Sequence, residues 1–187
     1  MKTFLNQMRP AALLLLVMTL LCGVIYPGVI TGLAQLIFPR QANGSIVTAT
    51  ADGAAKDYGS ALLGQQFTDA KYLIGRPMTV SNLAPASFEQ RQLVGQRVDW
   101  WRSFDPDNTG PIPADLVTGS GSGVDPYISP AAAGYQVARI AKARNIPEER
   151  VYAIIRENTR GRFLGFIGEP AVNVLLVNLA LDGVKYR

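Results

Sequence analysis

The side chains that carry most enzyme chemistry are nearly absent. There is no histidine among 187 residues, and the one cysteine is Cys22. That removes Ser-His-Asp and Cys-His catalysis together with the usual nitrogen and sulfur ligands of zinc, so a metal site would have to be all oxygen. Asp105-Pro-Asp-Asn-Thr-Gly110 has the acids and glycine that open a calcium loop, but Leu116 stands where a bidentate glutamate is required, and the segment reads as a polar turn. Its Asp107-Asn-Thr-Gly110 also falls short of the Asp-Lys-Thr-Gly phosphorylation motif of P-type ATPases. Lysine is replaced, and the chain is too small to hold the ATPase domains.

The most conspicuous local pattern is Gly119-Ser-Gly-Ser-Gly123, preceded by Val117-Thr118 and followed by Asp125-Pro126. Backbone amides of such a loop can cradle an anion. It has no Gly-Lys-Ser/Thr ending, no dinucleotide spacing and no nucleophile elbow, so the local pattern favours a tight loop joining strand to helix over a nucleotide cradle. Glu148 and Glu149 suit a helix first turn, and Asp115 and Asp125 suit turn caps. Trp100-Trp101 reads as core for at least one ring, with a membrane-surface anchor or a partner contact as the other readings.

The elements that must hold these residues divide at about residue 40. No charge occurs between Arg9 and Arg40, and the run from Ala11 through Tyr26 to Phe38 is apolar. About 20 helical residues cross the roughly 30 Å of bilayer hydrocarbon, so this stretch has length to spare for tilt. A cleaved signal peptide competes, with Lys2 and Arg9 as its basic flank, but a signal's apolar region runs only about 7 to 15 residues. Pro27 lies deep in the segment, where a missing donor and a ring clash predict a kink or an early end near Tyr26. Gly23, Gly28 and Gly32 are small enough to admit a neighbouring helix; lipid exposure alone is the other reading.

Lys2 and Arg9 precede the span, whereas Arg40 is followed by no base until Lys56. That asymmetry places residues 1–10 in the cytoplasm, 11–38 in the membrane and 39–187 outside. The net charge of +4 divides the same way, since without Lys2 and Arg9 there remain 16 bases against 14 acids. The sequence pI of 9.4 is therefore no argument for nucleic-acid binding.

Within the outer part, short apolar pieces bounded by Gly, Asn and Asp read as strands and turns from Gln41 to Pro77. Helical spacing appears from Phe88 to Phe104, from Ser129-Pro130 to about Arg144, and from Pro147-Glu-Glu149 to near Gly161. Pro170 to Asp182 begins as strand and ends as helix. The fold class is a single N-terminal transmembrane helix followed by one α+β extracytoplasmic domain, strands early and helices late.

A collinear series of phrases carries a resemblance. It runs Arg9-Pro10, Tyr26-Pro27, Gln41-Ala-Asn-Gly-Ser45, Gly59-Ser60, Gly64-Gln65 with Phe67, and Gly75-Arg-Pro77. It continues as Asp115-Leu-Val-Thr-Gly-Ser-Gly-Ser-Gly-Val-Asp-Pro126, Ile128-Ser-Pro-Ala-Ala-Ala133, Val137-Ala-Arg-Ile-Ala141, Val172-Asn-Val-Leu175 and Asn178-Leu-Ala-Leu-Asp182. In this order and spacing the chain resembles the KdpC family over nearly its whole length. It departs from that family at Tyr127, commonly histidine, at Val124, commonly leucine, and in a short stretch from Met78 to Asn82.

The resemblance implies an accessory, non-catalytic subunit of a bacterial inner-membrane complex for high-affinity potassium import. Its implied partners are a channel-like subunit, an ATP-hydrolysing P-type ATPase subunit and a very small hydrophobic subunit. The family is also assigned a catalytic-chaperone role that raises ATP affinity in a transient complex with the ATPase subunit. That role implicates Thr118, Ser120, Gly121, Ser122, Gly123 and Asp125, with ATP held only in the assembled complex. An outward domain conflicts with contact to cytoplasmic ATP.

Overall fold

The computed structural model describes residues 2–51, 54–79 and 82–186; Val80 and Ser81 of the shortened stretch lie outside them. The chain divides into two units, Met1–Ser45 and Ile46–Arg187.

The first unit is helical. Helix α1 (Lys2–Leu20) already includes Arg9 and Pro10, and α2 (Tyr26–Ile37) follows without a break, before the short α3 (Pro39–Ala42). Gln7–Ile37 is long and apolar enough to cross a membrane, and none of its most apolar window is buried within the chain. The early end expected at Pro27 does not occur. Leu21–Ile25 forms a π-helical turn in which Tyr26 N–H reaches back to Leu21 O. The wider turn takes up the proline ring and its missing donor locally, so the helix continues past both.

The second unit is α+β, as its composition indicates. Strands β1 (Ile46–Ala51) and β2 (Ala54–Ser60) form an antiparallel hairpin with a bulge at Val47/Thr48. The second sheet has the order β3 (Tyr127–Ile128), β5 (Ala171–Asn173), β4 (Thr159–Arg160), all antiparallel. Between the sheets in sequence comes α4 (Phe88–Phe104), opened by Ser87, whose hydroxyl accepts from Gln90 N–H at 3.1 Å. Trp101 is its one buried side chain among the described residues, while Trp100 stays exposed and stacks on Phe104.

The stretch from Ser129 to Arg144 is two helices, α5 (Pro130–Tyr135) and α6 (Val137–Arg144), rather than one. The cause is Gln136. Its side-chain amide takes Ala132 O at 3.2 Å, so its backbone N–H tightens to Ala133 O at 3.1 Å and the α ladder loses a step. Helix α7 (Glu148–Glu157) ends before Gly161, with Val151, Ile154 and Ile155 on its buried face. Asn173 then caps α8 (Val174–Leu181) by accepting from Leu176 N–H at 3.1 Å. The main core gathers Trp101, Ile128, Ile140, Val151, Val172 and Val177. Each large apolar side chain taken from water contributes about 1.5–3 kcal/mol.

Tyr72–Pro77 has no backbone strand partner, although its apolar run reads as strand. Side-chain amides fill the place of a neighbouring strand. Asn178 accepts from Leu73 N–H at 2.7 Å and donates to Leu73 O at 2.9 Å. Gln136 does the same for Ile74, at 2.9 Å in each direction. Arg139 donates to Ala70 O and to Tyr72 O. Burial among these carbonyls and the Trp101 and Phe104 rings lowers its pKa to about 10, against the opposing pull of Asp105 and Asp69.

Candidate functional site

The glycine loop is fixed from below by Arg76, whose place in Gly75-Arg-Pro77 signals no role by itself. Its guanidinium meets Asp115 at 2.6 Å and Asp125 at 3.6 Å, and so joins the two ends of the loop. The other Asp115 oxygen accepts from Ser129 N–H at 2.7 Å, at the N-cap of α5. Burial pushes the Asp115 pKa up, but the Ser129 hydrogen bonds and the Arg76 charge outweigh it and hold the carboxyl below its ordinary range. No sequence signal gives this pairing, because its partners lie far apart along the chain.

The loop enters from a 3-10 turn at Ala114–Leu116 and leaves into β3, which differs from the expected strand-to-helix connection. Each expected site residue with a polar side chain has a local partner. Thr118 Oγ1 donates to Ala114 O at 2.7 Å. Ser120 and Ser122 hydroxyls lie 3.3 Å apart; Ser122 Oγ accepts from Val124 N–H at 3.2 Å and Ser120 Oγ from Asp125 N–H at 3.4 Å. Asp125 accepts from Tyr127 N–H at 3.0 Å, closing a turn on itself. Gly123 adopts φ +73°, which a side chain would resist. Gly121 and Ser122 are exposed at the crest, and a Cβ built on Gly121 meets nothing within 4 Å.

Neighbouring backbone packs against this loop from two sides. Gly64 N–H donates to Val124 O at 2.6 Å, and a Cβ on Gly64 would lie 2.9 Å from Asp125 O. A Cβ on Gly119 would lie 3.0 Å from Thr79 O. From α4, Arg97 donates to Val117 O at 2.8 Å and Trp101 Nε1 to Leu116 O at 3.0 Å. In the adjacent cleft of about 170 Å³ between Phe67, Arg76, Met78, Arg97 and Trp100, each guanidinium is engaged by the protein through one terminal nitrogen, while Arg76 Nε is buried without a hydrogen bond. This arrangement holds a loop in one shape; its hydroxyls and cations are occupied within the chain.

Of the two acids in Asp105–Gly110, Asp107 is committed to an ion pair, whereas Asp105 has a buried Oδ2 with no hydrogen-bond partner among the described residues. Asp107 pairs with Lys142 at 2.7 Å, Asn108 Nδ2 donates to Tyr135 O, and Asn108 Oδ1 accepts from Gly110 N–H. Asp105 is buried as the C-cap of α4.

In the first unit, Gly23, Gly28 and Gly32 are exposed, and a Cβ on any of them meets nothing within 4 Å. Gly28 and Gly32 share a face by their four-residue spacing. The π-turn adds one residue per turn, so the five-residue step from Gly23 to Gly28 acts as four and brings Gly23 onto the same stripe. Pro27, one residue and so about 100° from Gly28, lies off this stripe and bears on it only through the wide turn.

Residues 8–183 match the family model described as "KdpC: K+-transporting ATPase, c chain". The chain is similar to proteins called potassium-transporting ATPase KdpC subunit in three organisms. The Listeria innocua protein is 53% identical over 189 residues, covering 99% of this chain and 100% of the relative. That of Clostridium perfringens is 53% identical over 195 residues, covering 94% and 96%, and that of Methylococcus capsulatus 48% over 192 residues, covering 96% and 99%. A family match over residues 8–183, with about half of all residues identical to relatives covered nearly end to end, establishes that the chain belongs to the KdpC family.

Proposed function

We propose that this chain is a non-catalytic accessory subunit of an ATP-driven potassium-import complex, anchored by one helix and stabilising the assembly from outside the cytoplasm. The family gives membership in the potassium-transporting ATPase. The observation that carries the role is the division of labour within the chain. An apolar helix presents an unfilled glycine stripe, and a separate domain commits its conspicuous polar loop to its own architecture. Catalysis then belongs to another chain, a P-type ATPase subunit, with a channel-like and a small hydrophobic subunit completing the assembly.

In this reading the helix crosses the bacterial inner membrane with residues 1–10 in the cytoplasm and the Ile46–Arg187 domain outside, as the flanking cations require. Gly23, Gly28 and Gly32 are the positions where a partner helix approaches. The topology is tested by an impermeant thiol reagent on intact cells, with Cys22 replaced and cysteine placed at Asn43 or Ser122. Both sites are expected to label, and protection of both would overturn the outward placement.

A second reading, the catalytic chaperone, has one observation in its favour: Gly121 and Ser122 are open at the crest of the loop. In that reading Thr118, Ser120, Gly121, Ser122, Gly123 and Asp125 meet ATP only in the assembled complex. A photoreactive ATP analogue that labels Gly121 or Ser122 in the intact complex, and is displaced by ATP, would establish it over the first.

A further inference from the structure

One turn of the outer domain shows its apolar side chains to solvent. After β4 the chain reads Arg160-Gly-Arg-Phe-Leu-Gly-Phe-Ile-Gly-Glu169, and every one of these residues is exposed. Phe163 and Ile167 form an isolated antiparallel bridge, Phe163 N–H donating to Ile167 O at 2.8 Å and Ile167 N–H to Phe163 O at 2.9 Å. Beneath it Arg162 pairs with Glu169 at 3.1 Å. Phe163, Leu164, Phe166 and Ile167 are 62%, 69%, 71% and 50% exposed.

Single exposed apolar residues need no explanation, but four in one tight turn form a contiguous patch of the kind that meets a partner. The backbone points the same way. Leu164 sits at φ +52°, where glycine or asparagine fits at less cost, and Gly165 follows at φ +83°. A leucine held there with no packing around it within this chain is presented outward rather than stored.

Charge decides between lipid and protein as the occupant. Elements that lie on a bilayer surface set an apolar face of Trp, Phe or Leu against a polar face rich in Lys and Arg, so the cation count is what discriminates. Here Arg162 is neutralised by Glu169, and the segment from Thr159 to Pro170 has no Lys, Trp or Tyr. Arg160 makes no ion pair among the described residues, so one uncompensated cation remains at the base of a turn whose backbone is bridged. One uncompensated cation is too few to hold the turn on an anionic surface but is what a single carboxylate on a protein partner would pair.

We infer that the Arg162–Glu169 hairpin is a plug that places Phe163, Leu164, Phe166 and Ile167 in an apolar hollow on another subunit of the complex, whose rim carries a carboxylate for Arg160. The inference rests on the accessory-subunit reading and deepens it.

The test uses the complete complex with a photoreactive phenylalanine analogue at Phe166. A cross-link to one other subunit is expected; a product with lipid alone, with a second copy of this chain, or no product would overturn the plug. In parallel, the Phe163→Ser/Phe166→Ser chain is expected to co-purify at least about tenfold less, as removal of central aromatic anchors does. Its thermal unfolding in detergent should stay unchanged, because the tip supports no core. Undiminished co-purification of the variant would sink the plug alone, whereas failure of the unaltered chain to co-purify with a P-type ATPase subunit would sink the accessory reading itself. Arg160→Glu is expected to weaken retention about threefold at low salt and far less at high salt; a salt-independent result would remove the carboxylate rim.

Discussion

Two glycine-bearing turns of the Ile46–Arg187 unit, Gly119–Gly123 and Arg162–Gly168, use glycine for opposite ends. In the first, glycine makes room: a Cβ on Gly119 or on the facing Gly64 would strike backbone oxygen at 3.0 or 2.9 Å, and the serines between turn back onto loop amides. In the second, a Cβ on Gly161, Gly165 or Gly168 meets nothing within 4 Å, and large apolar side chains face solvent. The loop that looks functional by composition is satisfied from within. The turn that looks unremarkable is the one left without cover.

The largest break in this comparison is expected at Arg76. Arg76→Ala leaves Asp115, whose side chain is only 16% exposed, without its ion pair, and should cost about 2–4 kcal/mol of stability by denaturant unfolding of the detergent-solubilised chain. A cost below about 1 kcal/mol would mean that the loop is not pinned from below. No equivalent change exists at the hairpin, where the Arg162–Glu169 pair is exposed and its loss should be nearly silent.

Acid reaches the same pair by a milder route. Because the folded-state pKa of Asp115 lies below its unfolded value, its contribution is present above the ordinary carboxylate range and fades as pH falls through the lowered folded value. Stability of the native chain should therefore drop at acid pH by more than that of an Asp115→Asn chain, which is weaker throughout but has nothing to titrate there. Parallel pH profiles for the two would place the acid sensitivity elsewhere.

Gly64 and Gly121 separate packing from mere flexibility. Gly64→Ala drives its methyl against Asp125 O and should cost about 1–3 kcal/mol, whereas Gly121→Ala enters open space and should stay within about 0.5 kcal/mol. Equal costs at the two positions would erase the distinction drawn between the buried and exposed sides of the loop.

Much of this was legible in the sequence, and the reasons are local. Ser129 caps its helix by bonding the amide three residues on, which its place before Pro130 signals directly; Ser87 and Asn173 cap in the same way without such a signal being read. The apolar helix was equally plain, but its course through Pro27 was not, since a π-turn of Leu21–Ile25 leaves no mark in residue types. Tyr72–Pro77 was read as strand because its apolar content is that of one. Its partners are amides of Gln136 and Asn178, far along the chain, and no periodicity reports such pairing. Arg76 was hidden for the same reason. The hairpin tip was hidden for another, since Phe163 to Ile167 looks like core in composition and only the fold shows that no core receives it.

One small expected effect has the opposite sign, which makes it the sharpest comparison. At Gly123 the positive φ is met by glycine, and Gly123→Ala should destabilise. At Leu164 the positive φ is met by a side chain that pays about 1–2 kcal/mol for it. Leu164→Gly relieves that strain and returns part of the gain to the flexibility of the unfolded chain, so a net stabilisation of about 0.5–1 kcal/mol is expected by thermal unfolding. Were the turn shaped for this chain's own stability, the substitution would cost stability, because leucine would be contributing contacts. A chain that gains stability from Leu164→Gly while losing retention in the complex would show that the leucine is kept at the tip for what it touches on another molecule.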